Sequence, residues 1–214
     1  MLDYELRAPE TPVAGAPLLV LLHGRGTDKR DLLPLARELP QGWTLVTPNA
    51  PHPGAHWGYG AGWAWYRYQR EDQVVSDTLR LSLDRLDRFL EAVPSLLDAP
   101  PGPLVLGGFS QGGTTSLAYA LTRPGRVRLV ANLSGFLARD EAVPVTREAV
   151  AGTRIFWGHG LNDPAIPHAL ARRGRDALRA VGADLTVRDY DAGHWIAPEE
   201  MRDLVRWVEQ AGSA

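Results

Sequence analysis

The chain has 214 residues, 44% hydrophobic and 22% charged, with 23 Lys and Arg against 25 Asp and Glu for a formal net charge of -2. This length suits one compact domain that buries roughly 70% of its unfolded surface, and the balanced charge offers no electrostatic footprint for nucleic acid. The absence of cysteine excludes a thiol nucleophile, a disulfide framework and a Cys-based zinc site.

The first residues, Met1 to Arg7, carry acids and lack the apolar core of a signal peptide. The longest strongly apolar run, Leu18 to Leu22, is too short to span a bilayer. A soluble cytoplasmic protein without integral membrane association is expected, as a monomer or a homodimer. Leu18 to Leu22, ending in His23-Gly24, reads as a strand buried on both faces. Asp31 to Leu39 reads as a helix and Trp43 to Thr47 as a second strand, stopped by Pro48. A long irregular stretch from Asn49 to Tyr68 follows, rich in Gly, Pro and Trp.

From Asp72 to Leu97, the positions Val75, Leu79, Leu86, Leu90, Val93 and Leu97 form one apolar helical stripe. Pro94 predicts a kink or an early end there. Leu104 to Leu106 reads as a strand, Gln111 to Leu121 as a helix, and Val127 to Leu133 and Arg154 to Trp157 as two more strands. A helix carrying Leu170, Gly174, Leu178 and Val181 closes at Gly182. Leu185 to Tyr190 alternates as a strand, and a last helix starts near Pro198. Strands separated by helices imply a mainly parallel sheet with helices on both faces, in one domain over residues 1–214.

Ser110 stands in Gly108-Phe109-Ser110-Gln111-Gly112, between the strand ending near Gly107 and the helix starting at Gln111. Strand, sharp turn and helix form the setting in which a nucleophilic serine is raised above a sheet edge. The turn brings residues 108 and 112 too close for side chains, so glycine is required at both. The Gln111 N–H, at the helix start, is free to donate to an oxyanion. A serine hydroxyl also needs a general base. In α/β-hydrolases the chain order is Ser, then Asp or Glu, then His, so His159, His168 and His194 are the candidates. His194 lies on the loop after the last strand, where ligand sites of open sheets gather. Asp163 follows an earlier strand and precedes Pro164, which favours an extended residue before it. Asp191 is a rival, ranked lower because it is so near His194 in sequence. The loop His23-Gly24-Arg25-Gly26-Thr27-Asp28 is expected to supply a second oxyanion donor, the Arg25 N–H, with His23 in a structural role.

These segments resemble the acyl-protein thioesterase/carboxylesterase (phospholipase/carboxylesterase) family of α/β-hydrolases across almost the whole chain. The matching blocks are Leu19 to Gly24 with Asp31 to Ala36, Gly107 to Gly113, Leu133 to Leu137, Gly160 to Pro167, and Gly193-His194 with Pro198-Glu199-Glu200. The resemblance implies a single-domain α/β-hydrolase without a large lid, with Ser110, Asp163 and His194 as triad and Arg25 and Gln111 as backbone oxyanion donors. It also implies hydrolysis of short-to-medium acyl esters or thioesters without a cofactor. Arg25 stands where the family usually carries an apolar residue, and a cation there points to a carboxylate-bearing or polar acyl group. The aromatic pair Trp65-Tyr66 resembles one that walls the family's acyl site, although core packing is an equal reading for Trp65.

Other readings stay open. Triad chemistry does not determine the scissile bond, so an amide or C–C hydrolase fits the same residues, as does an idle ligand-binding module. His52 and His56 lack acidic or Cys companions, so no metal is expected. Arg172, Arg173, Arg175 and Arg179 read as a solvated helix face.

Overall fold

The computed structural model describes residues 1–212. Seven strands form one sheet: β1 (Tyr4–Arg7), β2 (Leu18–Leu22), β3 (Thr44–Pro48), β4 (Leu104–Phe109), β5 (Leu129–Leu133), β6 (Arg154–Gly160) and β7 (Asp184–Tyr190), in the order β1-β3-β2-β4-β5-β6-β7. All neighbours are parallel except β1 and β3, which pair antiparallel at one edge. The helices are α1 (Ser76–Ala92), α2 (Gln111–Thr122), α3 (Arg147–Val150), α4 (His168–Ala180) and α5 (Pro198–Gly212). This is the α/β architecture expected from the alternating pattern, in a single domain.

The apolar strands serve two separate cores because alternate residues face opposite sides of the sheet. Leu18, Val20, Leu22, Leu106, Val130, Ile155 and Trp157 pack with apolar residues of α1, α2 and α4. Leu19, Leu21, Val105, Ala131 and Phe156 pack on the other side with Met201, Leu204, Trp207 and Val208 of α5. Five consecutive buried residues in β2 follow from this double coverage.

Two local readings need correction. Residues 31–39 hold only a six-residue 3-10 helix, Leu33–Glu38, with Pro34 in its first turn. The long helix begins at Ser76 rather than Asp72, because Gln73–Val74 pairs as a short hairpin with Tyr68–Arg70. It ends at Ala92, the early end that Pro94 predicted, and Pro94 lies in a 3-10 turn over Val93–Leu96. The edge strand β1 was not anticipated, since four residues carry too little alternation to stand out.

The sheet order reverses between β2 and β4: β3 and β1 lie to one side, and β5, β6 and β7 to the other. Such a switch point opens a crevice at the carboxyl ends of the strands. The loops leaving β2, β4, β6 and β7 all emerge along that edge.

Candidate active site

Ser110 immediately follows β4 and precedes α2, with φ 55° and ψ -116°. A non-glycine residue in such a conformation costs on the order of 1–3 kcal/mol and persists only where its surroundings enforce it. Here the Ser110 N–H donates to the Leu133 carbonyl at 2.8 Å, and the Ser110 carbonyl accepts from the Thr114 N–H at 3.1 Å. The close approach explains both motif glycines. A Cβ on Gly112 would sit 2.0 Å from the Leu22 carbonyl oxygen, and one on Gly108 would sit 2.6 Å from that oxygen and from the Gly112 carbonyl carbon.

The structure brings three of the expected residues into one chain of hydrogen bonds. His194 Nε2 lies 2.9 Å from Ser110 Oγ, and His194 Nδ1 lies 2.7 Å from Asp163 Oδ2. The ionised carboxylate only accepts, so Nδ1 carries the proton and Nε2 is the acceptor facing the serine. Phe109 packs against the His194 ring, with centroids 4.8 Å apart. Asp163 is buried, and its Oδ1 accepts two backbone N–H bonds, from Ala165 and Ile166, each 2.8 Å. The carboxylate is thus a turn cap on one oxygen and a histidine partner on the other. Asp191, the rival acid, instead accepts from the Asn162 side-chain amide at 2.9 Å.

The remaining histidines are occupied elsewhere. His159 is fully buried beside Asp163, donates from Nε2 to the Ile166 carbonyl at 2.9 Å, and has Asp163 Oδ2 at 3.6 Å. Burial holds its pKa below the ordinary histidine value, so it is neutral. His168 lies 3.1 Å from Asp189. His23 is buried and joins two loops: its Nε2 accepts from the Ala50 N–H at 3.0 Å and its Nδ1 donates to the Gly24 carbonyl at 2.7 Å. Burial lowers its pKa as well.

The loop after β2 crosses above Ser110. The Gly26 N–H donates to the Trp63 carbonyl at 2.8 Å and the Trp63 N–H to the Thr27 carbonyl at 2.7 Å. These bonds leave the Arg25 N–H without a backbone acceptor among the described residues. Gln111 is the first residue of α2, so its N–H has no acceptor within the helix. The Ser110 N–H, by contrast, is consumed by the Leu133 carbonyl.

The cleft is a cavity of about 770 Å³ lined by Gly24, Arg25, Phe109, Ser110 and His194, together with Tyr68, Phe136, Ile166, Leu170 and Arg173. Tyr66 is absent from that lining, contrary to expectation, and so is Trp65, for which core packing was an equal reading. Both are fully buried, with Trp65 Nε1 donating to the His23 carbonyl at 3.0 Å. The reason is the Gln111 side chain. Its Oε1 accepts from the Trp65 N–H at 2.8 Å and its Nε2 donates to the Tyr66 carbonyl at 2.7 Å, while the Ser82 hydroxyl donates to the Trp65 carbonyl. This clamp turns the aromatic pair into the core behind the nucleophile. Tyr68 and Phe136, with ring centroids 5.9 Å apart, form the aromatic wall in its place.

A second correction concerns α4. Arg173 and Arg179 are exposed as expected, but Arg175 is buried, donating to Asp189 at 2.7 Å and to the Trp157 carbonyl at 3.2 Å. No group of three or more His, Cys, Asp or Glu residues able to hold a metal ion occurs among the described residues.

A phospholipase/carboxylesterase family model matches residues 5–211. The chain belongs to that family. It is therefore a hydrolase of the carboxylesterase class with an α/β-hydrolase fold. Acyl-protein thioesterase 1 of Cryptococcus neoformans is 27% identical over 217 residues, 90% of this chain and 91% of that protein. Its counterpart in Kluyveromyces lactis is 30% identical over 181 residues, covering 78% and 77% of the two chains. The solved structure of Zea mays acyl-protein thioesterase 2 superposes with a TM-score of 0.77 at 24% identity, over 98% of this chain and 99% of the other, which carries the likeness of fold. The cleft residues Tyr68, Ile166 and Arg173 were not among those expected from sequence. Tyr68 closes the Trp- and Tyr-rich stretch, and Ile166 lies inside the Asp163 loop; proximity to those two motifs was the available signal.

Proposed function

We propose that this protein hydrolyses carboxylic esters or thioesters of small to medium acyl groups through an acyl-serine intermediate. The observation that carries the reading is the hydrogen-bonded series Ser110–His194–Asp163 at the foot of a cleft. Ser110 Oγ attacks the substrate carbonyl carbon while His194 Nε2 takes its proton. The Asp163 carboxylate stabilises the imidazolium and holds its tautomer. The Arg25 and Gln111 N–H groups receive the oxyanion, and a donor of this kind is worth about 10²- to 10³-fold in rate. His194 then protonates the departing alkoxide or thiolate, and the acyl group stays on Ser110. Water attacks that acyl-serine with His194 again acting as base, releasing the carboxylic acid and restoring the hydroxyl. Phe109, Phe136, Ile166 and Leu170 give the acyl chain an apolar surface to cover.

The test is Ser110→Ala assayed on p-nitrophenyl butyrate, with fluorophosphonate labelling of both proteins. The reading expects a loss of at least about 10³-fold and an adduct on Ser110 in the wild type alone. Retained hydrolysis in the variant would exclude it. Parallel assays on amide, ester and thioester substrates identify the scissile bond.

A further inference from the structure

The cleft contains two cations in different electrostatic situations. Arg173 is committed: it pairs with the buried carboxylate of Asp72 and has Glu71 at 3.9 Å. Arg25 is not. No carboxylate among the described residues lies within ion-pair range of its guanidinium, which instead rests on two tyrosine faces, 4.8 Å from the Tyr59 centroid and 5.2 Å from the Tyr68 centroid. Cation–π contacts of this kind hold an arginine without neutralising it. The two carboxylates on the cleft wall face other partners: Asp31 accepts from the Thr27 hydroxyl at 3.1 Å, and Glu71 is turned toward Arg173. The outcome is an exposed, pre-positioned cation without a carboxylate partner, in a cleft that Phe109, Phe136, Ile166 and Leu170 also line, Phe136 and Ile166 being buried. In the reading proposed above, its own backbone N–H is one of the two oxyanion donors.

Resting on the reading of Ser110 as nucleophile, we propose that the acyl site takes an acyl chain with an anionic end, an ω-carboxyacyl group, whose terminal carboxylate is bound by the Arg25 guanidinium. The methylenes between the two carbonyl carbons cover the aromatic and aliphatic lining, and the carboxylate reaches the cation. Arginine suits this task because its planar fork meets a carboxylate with two parallel N–H bonds. The tyrosine faces fix the fork in advance, which lowers the entropy lost on binding. Hydrolysis of such a half-ester or half-thioester consumes one water and releases a dicarboxylate and an alcohol or thiol. A simple alkyl acyl group would leave the cation without a carboxylate partner.

The experiment compares p-nitrophenyl hydrogen adipate with p-nitrophenyl hexanoate, matched in carbon number, with spontaneous hydrolysis subtracted. Wild-type kcat/KM should favour the adipate half-ester by at least about tenfold, and the preference should shrink as ionic strength rises. Arg25→Leu should lower the adipate-to-hexanoate ratio by more than about tenfold, whereas Arg25→Lys should keep part of it. Because the comparison is a ratio within one protein, a general loss of activity in a variant does not disturb it. A third substrate, the hexanoyl ester of 4-hydroxybenzoate, carries the charge on the leaving group. If Arg25→Leu penalises that substrate and leaves the adipate ratio unchanged, the assignment to the acyl side is wrong. Hexanoate hydrolysis with no adipate preference overturns the inference alone. Absence of turnover on every ester, together with absence of fluorophosphonate labelling, removes it along with the reading of Ser110.

Discussion

Replacing Asp163 by asparagine tests the hydrogen-bond logic of the site with almost no change of shape. Asp163 Oδ1 takes two buried N–H bonds, from Ala165 and Ile166, each 2.8 Å. An asparagine must place its carbonyl oxygen there, because turning its NH₂ toward two N–H donors leaves buried groups unsatisfied at roughly 1–3 kcal/mol each. The NH₂ then points at His194 Nδ1, which becomes the acceptor. The ring proton moves to Nε2, the atom 2.9 Å from Ser110 Oγ, and the base can no longer accept. Exchanging one imidazole tautomer for the other costs far less than two orphaned N–H groups, so the wrong tautomer wins. In a serine protease, the same exchange lowers kcat about 10⁴-fold, equivalent to about 5 kcal/mol of barrier. The assay is kcat on p-nitrophenyl butyrate for both proteins, with the tautomer of His194 read by nitrogen NMR. A loss smaller than about tenfold, or an Nδ1 proton retained in the variant, would refute the reasoning.

Two further outcomes follow from buried groups near the site. His159→Leu removes the donor to the Ile166 carbonyl and frees the turn that holds Asp163; stability should fall by about 1–3 kcal/mol. As a positioning effect it should lower kcat while KM changes little, with partial recovery in His159→Gln; a kcat equal to wild type would dismiss the role. Glu200 is buried against Gly158, and burial raises its carboxyl pKa from 4.5 to about 8. The folded protein therefore keeps a proton that the unfolded chain releases above about 4.5, and stability declines as pH rises from about 4.5 to 8 before levelling. The ceiling of this penalty is roughly 5 kcal/mol. Glu200→Gln should gain melting temperature on the wild type by at least about 4 °C between pH 5 and pH 8.5; a constant difference would contradict it.

Much of this arrangement was legible before any coordinates. β2 could be read because a strand covered on both faces is apolar at every position. The Ser110 elbow could be read because close backbone approach leaves glycine as the only residue that fits at 108 and 112. Both signals are local, written within six residues of the feature they describe. The misreadings share the opposite property. Arg175 looked like one more solvated arginine on a helix, yet its burial depends on Asp189 and the Trp157 carbonyl, both on neighbouring strands. The short strand β1 exists only because β3 offers it an edge.

The aromatic pair shows how such distant partners decide function. Nothing within residues 57–68 distinguishes Trp65 and Tyr66, which are buried, from Tyr68, which lines the cleft. The distinction comes from Gln111, 46 residues further along in sequence from Trp65, whose amide uses both its ends to hold the backbone of the pair. Gln111 therefore has two parts with separate roles: its N–H is the oxyanion donor proposed above, and its side chain holds Trp65 and Tyr66 in the core. That leaves Tyr68 and Tyr59 as the surfaces on which Arg25 rests. On the proposal that Arg25 receives the carboxylate of the acyl group, the glutamine of the nucleophile motif thereby helps position that cation.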